Sequence, residues 1–238
     1  MEKMLVFKVV LLGLLCFKFG SAQQPAYSSA PDTHILSFIS TDIDDNDSKA
    51  KGSPYVNECF EVGEVSINDK VQLKEKMRYN AYKNEIEVLD KNSPDSYYSL
   101  LKRAYISVEI GDTPYAIYTF VDSNGSVRTS YFSERNQGAI KLLFKPEAIL
   151  RQGRKPATSY EKYVQPRYIW NNSYYILDNR NPSDNNHAVK VKLKKNSILD
   201  FTGGRKEEMK KYIKEQNLNL RREEDVISFL NYFNGKSM

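Results

Sequence analysis

Residues 104–132 read AYISVEI, GD, TPYAIYTFV, DSNG and SVRTSYF, and no other stretch restricts the fold so tightly. Ile106, Val108 and Ile110 alternate with Ser107 and Glu109, the period-2 pattern of a strand buried on one side. Gly111-Asp112 and Asn124-Gly125 interrupt the alternation with residues that tolerate the positive φ of tight hairpins. A further apolar run, AIKLLF, begins after Asn136-Gln137-Gly138. The block predicts an antiparallel meander of about four strands.

The flanks extend the pattern. Val65 and Ile67 share one face of GEVSIN, and Ile86 and Val88 share one face of NEIEVL. Glu85 and Glu87 then fall on the opposite face, where they read as outward, solvated charge. RQGRKPATSYE reads as a connection, and RYIWNNSYYIL as a hairpin turning at Asn171-Asn172. In HAVKVKLKK, Val189, Val191 and Leu193 point inward, and Lys190, Lys192 and Lys194 protect an exposed sheet edge. At Asn196 the period changes. Met209, Tyr212 and Ile213 recur at helical spacing, and Val226, Phe229, Leu230 and Phe233 follow i, i+3, i+4, i+7. Glu223, Glu224 and Asp225 fall in the first turn of the second helix, Gly235 lies just past its apolar face, and Leu218 and Leu220 link the pair. The expected fold is α+β: an antiparallel β-rich meander, as a sheet or open barrel, over 53–195. A short C-terminal two-helix segment over 196–238 packs on it.

The N-terminus has the order of a secretory signal: Lys3 and Lys8, an apolar run over 9–19, then Gly20-Ser21-Ala22. The run is short of the ~20 residues a stable span needs. Cleavage near Ala22, leaving Gln23 first, is expected. Acylation of Cys16 is the rival, but it needs a small residue before the cysteine and Leu15 stands there. Loss of 1–22 leaves Cys59 as the only thiol, so no intramolecular disulfide forms. Residues 23–52 read as a disordered spacer, with only ILSFIS (35–40) apolar enough for a strand.

Few chemistries remain open. Asp42, Asp44 and Asn46 space like calcium ligands, but the sixth and twelfth loop positions hold Asp47 and Ser53 rather than Gly and Glu. His34 and His187 are the only histidines, so no metal set is predicted. Cys59 reads as a small buried thiol rather than as a nucleophile with His187. No glycine recurs two positions on, so no nucleotide-binding loop and no cofactor is expected. Glu85, Glu87, Glu109 and Asp112 could serve a hydrolase, but alternation explains them without catalysis.

Aromatic side chains leave the clearest candidate surface. The chain has 17 tyrosines, many of them in the strands. An exposed row of Tyr115, Tyr118, Tyr131, Trp170 and Tyr174 could stack on sugar rings or peptides. Charge divides along the chain: residues 23–187 hold 20 Lys and Arg against 22 Asp and Glu, and residues 188–238 hold 12 against 7. The basic end could meet an anionic lipid surface. Export and the scatter of its cations argue against nucleic acid.

GSPYVNECFEVGEV, MRYNAYKNEIEVL and the ending KKYIKEQNLNLRREEDVISFLNYFN resemble a group of uncharacterised secreted proteins of Bacteroidetes-type Gram-negative bacteria. The resemblance spans most of 52–234 and is looser in the middle. It implies export, a β-rich body and a helical C-terminus, and transfers no site residue. The expected function is that of an exported, non-catalytic envelope or periplasmic protein, binding or structural. Its partner would be an envelope polymer, a protein or an anionic lipid surface. A hydrolase using sheet carboxylates and a lipid- or outer-membrane-associated factor are the alternatives.

Overall fold

Alternation resolves into strands along most of the chain. The computed structural model describes residues 36–39, 50–93, 96–180 and 186–236. The signal segment 1–22, Cys16, Gln23, His34 and the acidic run 42–47 lie outside the described residues.

The strands are β1 (Leu36–Ile39), β2 (Glu61–Ile67), β3 (Lys70–Asn80), β4 (Glu85–Leu89), β5 (Tyr97–Leu100), β6 (Ile106–Ile110), β7 (Thr113–Val121), β8 (Val127–Glu134), β9 (Ile140–Lys145), β10 (Ala148–Arg151), β11 (Arg167–Trp170), β12 (Ser173–Asp178) and β13 (Val189–Val191). Helices α1 (Lys195–Leu199), α2 (Lys206–Glu215) and α3 (Glu223–Gly235) follow, with a 3-10 segment (Asp200–Arg205) between the first two. Among the described residues eleven strands form one antiparallel sheet in the order β1-β5-β4-β3-β2-β6-β7-β8-β9-β12-β13, and β10 and β11 form a separate pair. The protein is therefore mostly antiparallel sheet with helices near its C-terminus. Gly111 and Gly125, at φ 57° and 79°, close the β6–β7 and β7–β8 hairpins.

Three apolar clusters hold the layers. The inner face of β2–β8 gathers Val65, Met77, Tyr79, Ile86, Val88, Val108 and Tyr131, and Ala148 and Tyr168 of β10 and β11 cover them. Ile140, Leu142 and Ile176 of β9 and β12 pack against Met209, Val226, Phe229, Leu230 and Phe233 of the helices. On the other face Phe120 of β7 and Phe132 of β8 gather with Leu143, Tyr175 and Leu177 of β9 and β12. Period 2 explains the division, since Leu142 and Leu143 must face opposite sides.

The helical pair is fixed by polar contacts as well. Glu223, at the start of α3, receives Arg135 at 2.9 Å and the Tyr174 hydroxyl at 2.5 Å. At the other end Asn234 imitates a strand: its Oδ1 accepts from Ile140 N at 3.0 Å. Its Nδ2 donates to Ile140 O at 2.8 Å and to Gln137 O at 2.9 Å. Gly138 leaves room for it, because a Cβ there would lie 2.5 Å from Asn234 Nδ2.

Several expectations are corrected. Asn171-Asn172 does not close a hairpin, because β11 pairs with β10 and β12 with β9. Cys59 is exposed rather than buried, since the 56–59 stretch lies on the surface ahead of β2. Glu87 is fully buried rather than solvated, because a second layer covers its face. Val189 is exposed, and β13 is a three-residue edge strand. The strand expected within ILSFIS does form: residues 36–39 are β1 and pair with β5.

Burial of the tyrosines has a measurable result. Burial pushes the Tyr115 phenol up to about 12 and raises Tyr79 and Tyr131 as well. An ordinary phenol ionises near 10, so the unfolded chain releases these protons first. Their contribution to stability is complete below about pH 10 and is lost as pH rises toward 12. Alkaline titration should therefore show part of the tyrosine absorbance change coinciding with loss of the sheet's circular dichroism. A smooth titration of all tyrosines ahead of unfolding would contradict this.

Candidate functional site

The two N-terminal segments that carry the group resemblance meet in space. Residues 54–56 run antiparallel beside the end of β3, with Ala81 N donating to Pro54 O at 2.8 Å and Val56 N to Tyr79 O at 3.2 Å. Arg78 lies between two rings, 3.6 Å from the Tyr55 centroid and 4.3 Å from that of Phe60. Its Nε donates to Glu87 at 2.8 Å, and Asn80 Nδ2 reaches the other Glu87 oxygen at 2.9 Å. Asn84 Oδ1 accepts from Tyr79, Ser130 and the Tyr131 amide. The motif side chains are thus spent on one another, which makes this network a fastening between layers.

The tyrosine row does not form one exposed face. Tyr115 and Tyr131 are buried in the inner core, where both lie near Tyr79. Tyr118 is half-buried, donates to Glu134 and receives Lys141 Nζ at 3.3 Å. Burial and that carboxylate hold its phenol well above the ordinary range. Tyr174 is half-buried and is committed to Glu223. Trp170 alone among the five is exposed, at 41%.

Carboxylates from the sheet surround two open clefts. One of about 220 Å³ is lined by Glu64, Glu109 and Glu134. Glu64 is paired with Lys74 at 2.7 Å, and Glu134 with Lys141 at 2.8 Å. The other, of about 650 Å³, includes Arg128, Lys145, Glu147 and Lys190. There Arg128 meets Asp122 at 2.5 Å and Lys145 meets Glu147 at 2.6 Å. His187 Nδ1 lies 3.0 Å from Thr119 Oγ1, while Cys59 is exposed in the separate 53–60 layer. Among the described residues no group of three His, Cys, Asp or Glu side chains could hold a metal ion. No helix there is long and apolar enough to cross a membrane.

The most distinctive surface is the β10–β11 hairpin. Its inner side is anchored: Ala148 N donates to Ala81 O at 3.2 Å, and Tyr168 N to Lys51 O at 2.9 Å. Asn171 Nδ2 bonds Glu147 at 2.8 Å at the base. Register sets Ile149 opposite Ile169 and Arg151 opposite Arg167. Alternation turns these four outward while Ala148 and Tyr168 enter the core. Arg154 and Val164 exchange both backbone hydrogen bonds, at 2.9 and 3.0 Å. Gly153 permits that approach, since a Cβ there would meet Val164 O at 2.7 Å. Ile149, Tyr160, Tyr163, Val164, Ile169 and Trp170 are all exposed, Tyr160 at 98%. Sequence reading treated 151–161 as a connection; its signal was five cations and two tyrosines within 151–167.

No family model, curated protein or solved structure matches the chain.

Proposed function

We propose that the protein is an exported, non-catalytic protein of a Gram-negative cell envelope that works by binding, with the β10–β11 hairpin as its contact surface. The observation that carries this is the group of apolar and aromatic side chains facing water on an anchored hairpin. Clustered exposed apolar surface of this kind marks interaction sites. The pairing of Glu64, Glu134 and Glu147 with lysines supports the reading, because ion-paired acids are poorly suited to proton transfer. The sheet is read as two meanders, β2–β5 and β6–β9, joined across β2 and β6 and left open between β1 and β13. That frame presents the hairpin on one side.

Two measurements test the proposal. The mass of the exported protein should correspond to a start at Gln23, and acylation at Cys16 would overturn the assigned processing. Protein carrying Tyr160→Ser, Ile169→Ser and Trp170→Ser should melt like the wild type but lose retention on sedimented cell envelopes. Equal retention of the two would remove the hairpin from the function.

A further inference from the structure

We propose that the β10–β11 hairpin seats the protein on an anionic phospholipid surface. This rests on the reading of the hairpin as contact surface and adds the chemistry of what it contacts.

Charge is the first argument. Between 148 and 170 the chain places Arg151, Arg154, Lys155, Lys162 and Arg167 against the single carboxylate Glu161, a balance of +4 in a protein whose whole formal charge is +5. Only Arg154 has an ion pair among the described residues, a long one at 3.9 Å to Glu161. At the helical end six of the twelve cations over 188–238 are ion-paired. Arg205, Lys206, Lys210, Lys211, Arg222 and Lys236 all have carboxylate partners. Among the described residues the hairpin thus leaves Arg151, Lys155, Lys162 and Arg167 unpaired beside exposed apolar side chains, and anionic headgroups attract such a segment.

The side chains between the cations are the second argument. A purely electrostatic contact with an acidic polymer has no use for Ile149, Ile169 and Val164 in water. A bilayer surface does: aliphatic groups reach the acyl boundary, and Trp and Tyr prefer headgroup depth. Arg and Lys lay their apolar stems alongside and keep their charge at the phosphates. The outward Ile149–Ile169 pair beside the outward Arg151–Arg167 pair supplies both halves of that arrangement. The backbone exchange between Arg154 and Val164 matters too, since paired strands carry fewer unsatisfied groups toward a low-dielectric boundary.

Trp170 is the only tryptophan in the 238 residues, so the hairpin carries its own reporter. Purified exported protein should float with phosphatidylglycerol–phosphatidylcholine vesicles and show a blue-shifted emission that brominated lipid quenches. Affinity should exceed that for pure phosphatidylcholine at least about tenfold and fall as salt shortens the Debye length from ~10 Å at 0.1 M to ~3 Å at 1 M. Lys155→Glu with Lys162→Glu, both at fully exposed sites, should reduce binding about tenfold or more without changing the melting temperature. No flotation and no emission change would overturn the lipid proposal. If envelope retention nevertheless depends on the hairpin, the binding reading stands and its partner is a protein or polymer. Vesicle binding that Lys155→Glu with Lys162→Glu leaves unchanged would place the contact elsewhere and overturn the lipid proposal for the hairpin.

Discussion

Arg78→Met is expected to destabilise the protein by about 3–5 kcal/mol, the cost of leaving one member of a buried ion pair alone. Glu87 is fully buried, and without Arg78 its carboxylate loses its cation while keeping the Asn80 amide at 2.9 Å. The guanidinium also fills the gap between Tyr55 and Phe60, so its loss loosens the 53–60 layer. Urea denaturation should show a lower midpoint with an unchanged slope. The double variant Arg78→Met with Glu87→Leu should recover much of the loss, since an apolar pair of similar volume is often neutral. A single variant within about 1 kcal/mol of wild type would show that water relieves the buried acid, contrary to this account.

Phe229→Ala should cost a similar ~3–5 kcal/mol through a different mechanism. Phe229 is fully buried in the cluster where α3 meets β9 and β12. Truncation removes the transfer free energy of the ring and leaves a cavity that the surrounding Ile, Leu and Met side chains cannot fully close. The melting temperature should fall by about 10 °C. Phe229→Leu, which keeps most of the volume, should lose less than half as much. If the alanine variant melts unchanged, α3 is not part of the cooperative unit.

Sequence alone went furthest where one face is wet and the other dry. The 104–132 alternation became β6, β7 and β8, and the apolar i, i+3, i+4, i+7 set became the buried face of α3. It failed where a third layer intervenes. Glu87 has the right parity for solvent, yet residues some 30 positions earlier in the chain cover that side, and periodicity carries no record of them. Tyr115 and Tyr131 failed for a related reason: tyrosine suits a strand whether or not its ring is covered. Asn171-Asn172 has turn-forming residues, yet the chain runs straight on from β11 into β12, since Trp170 faces Ala148 and Ser173 faces Lys145 in one continuous register. The hairpin escaped notice because charge was summed over 23–187, where 22 acids against 20 bases cancel a local excess of four.

The Asn234 contact also bears on the order of assembly. Neighbours in the sheet from β6 to β9 are successive in sequence, so those pairings can form as each strand becomes available. Asn234 meets Ile140 across 94 positions, close to the last residue of the chain. Until that asparagine arrives, the Ile140 amide at the β8–β9 turn lacks this partner and the apolar face of β9 and β12 lacks the share of its cover that α3 supplies. Docking of α3 closes that face and is the step that commits the fold.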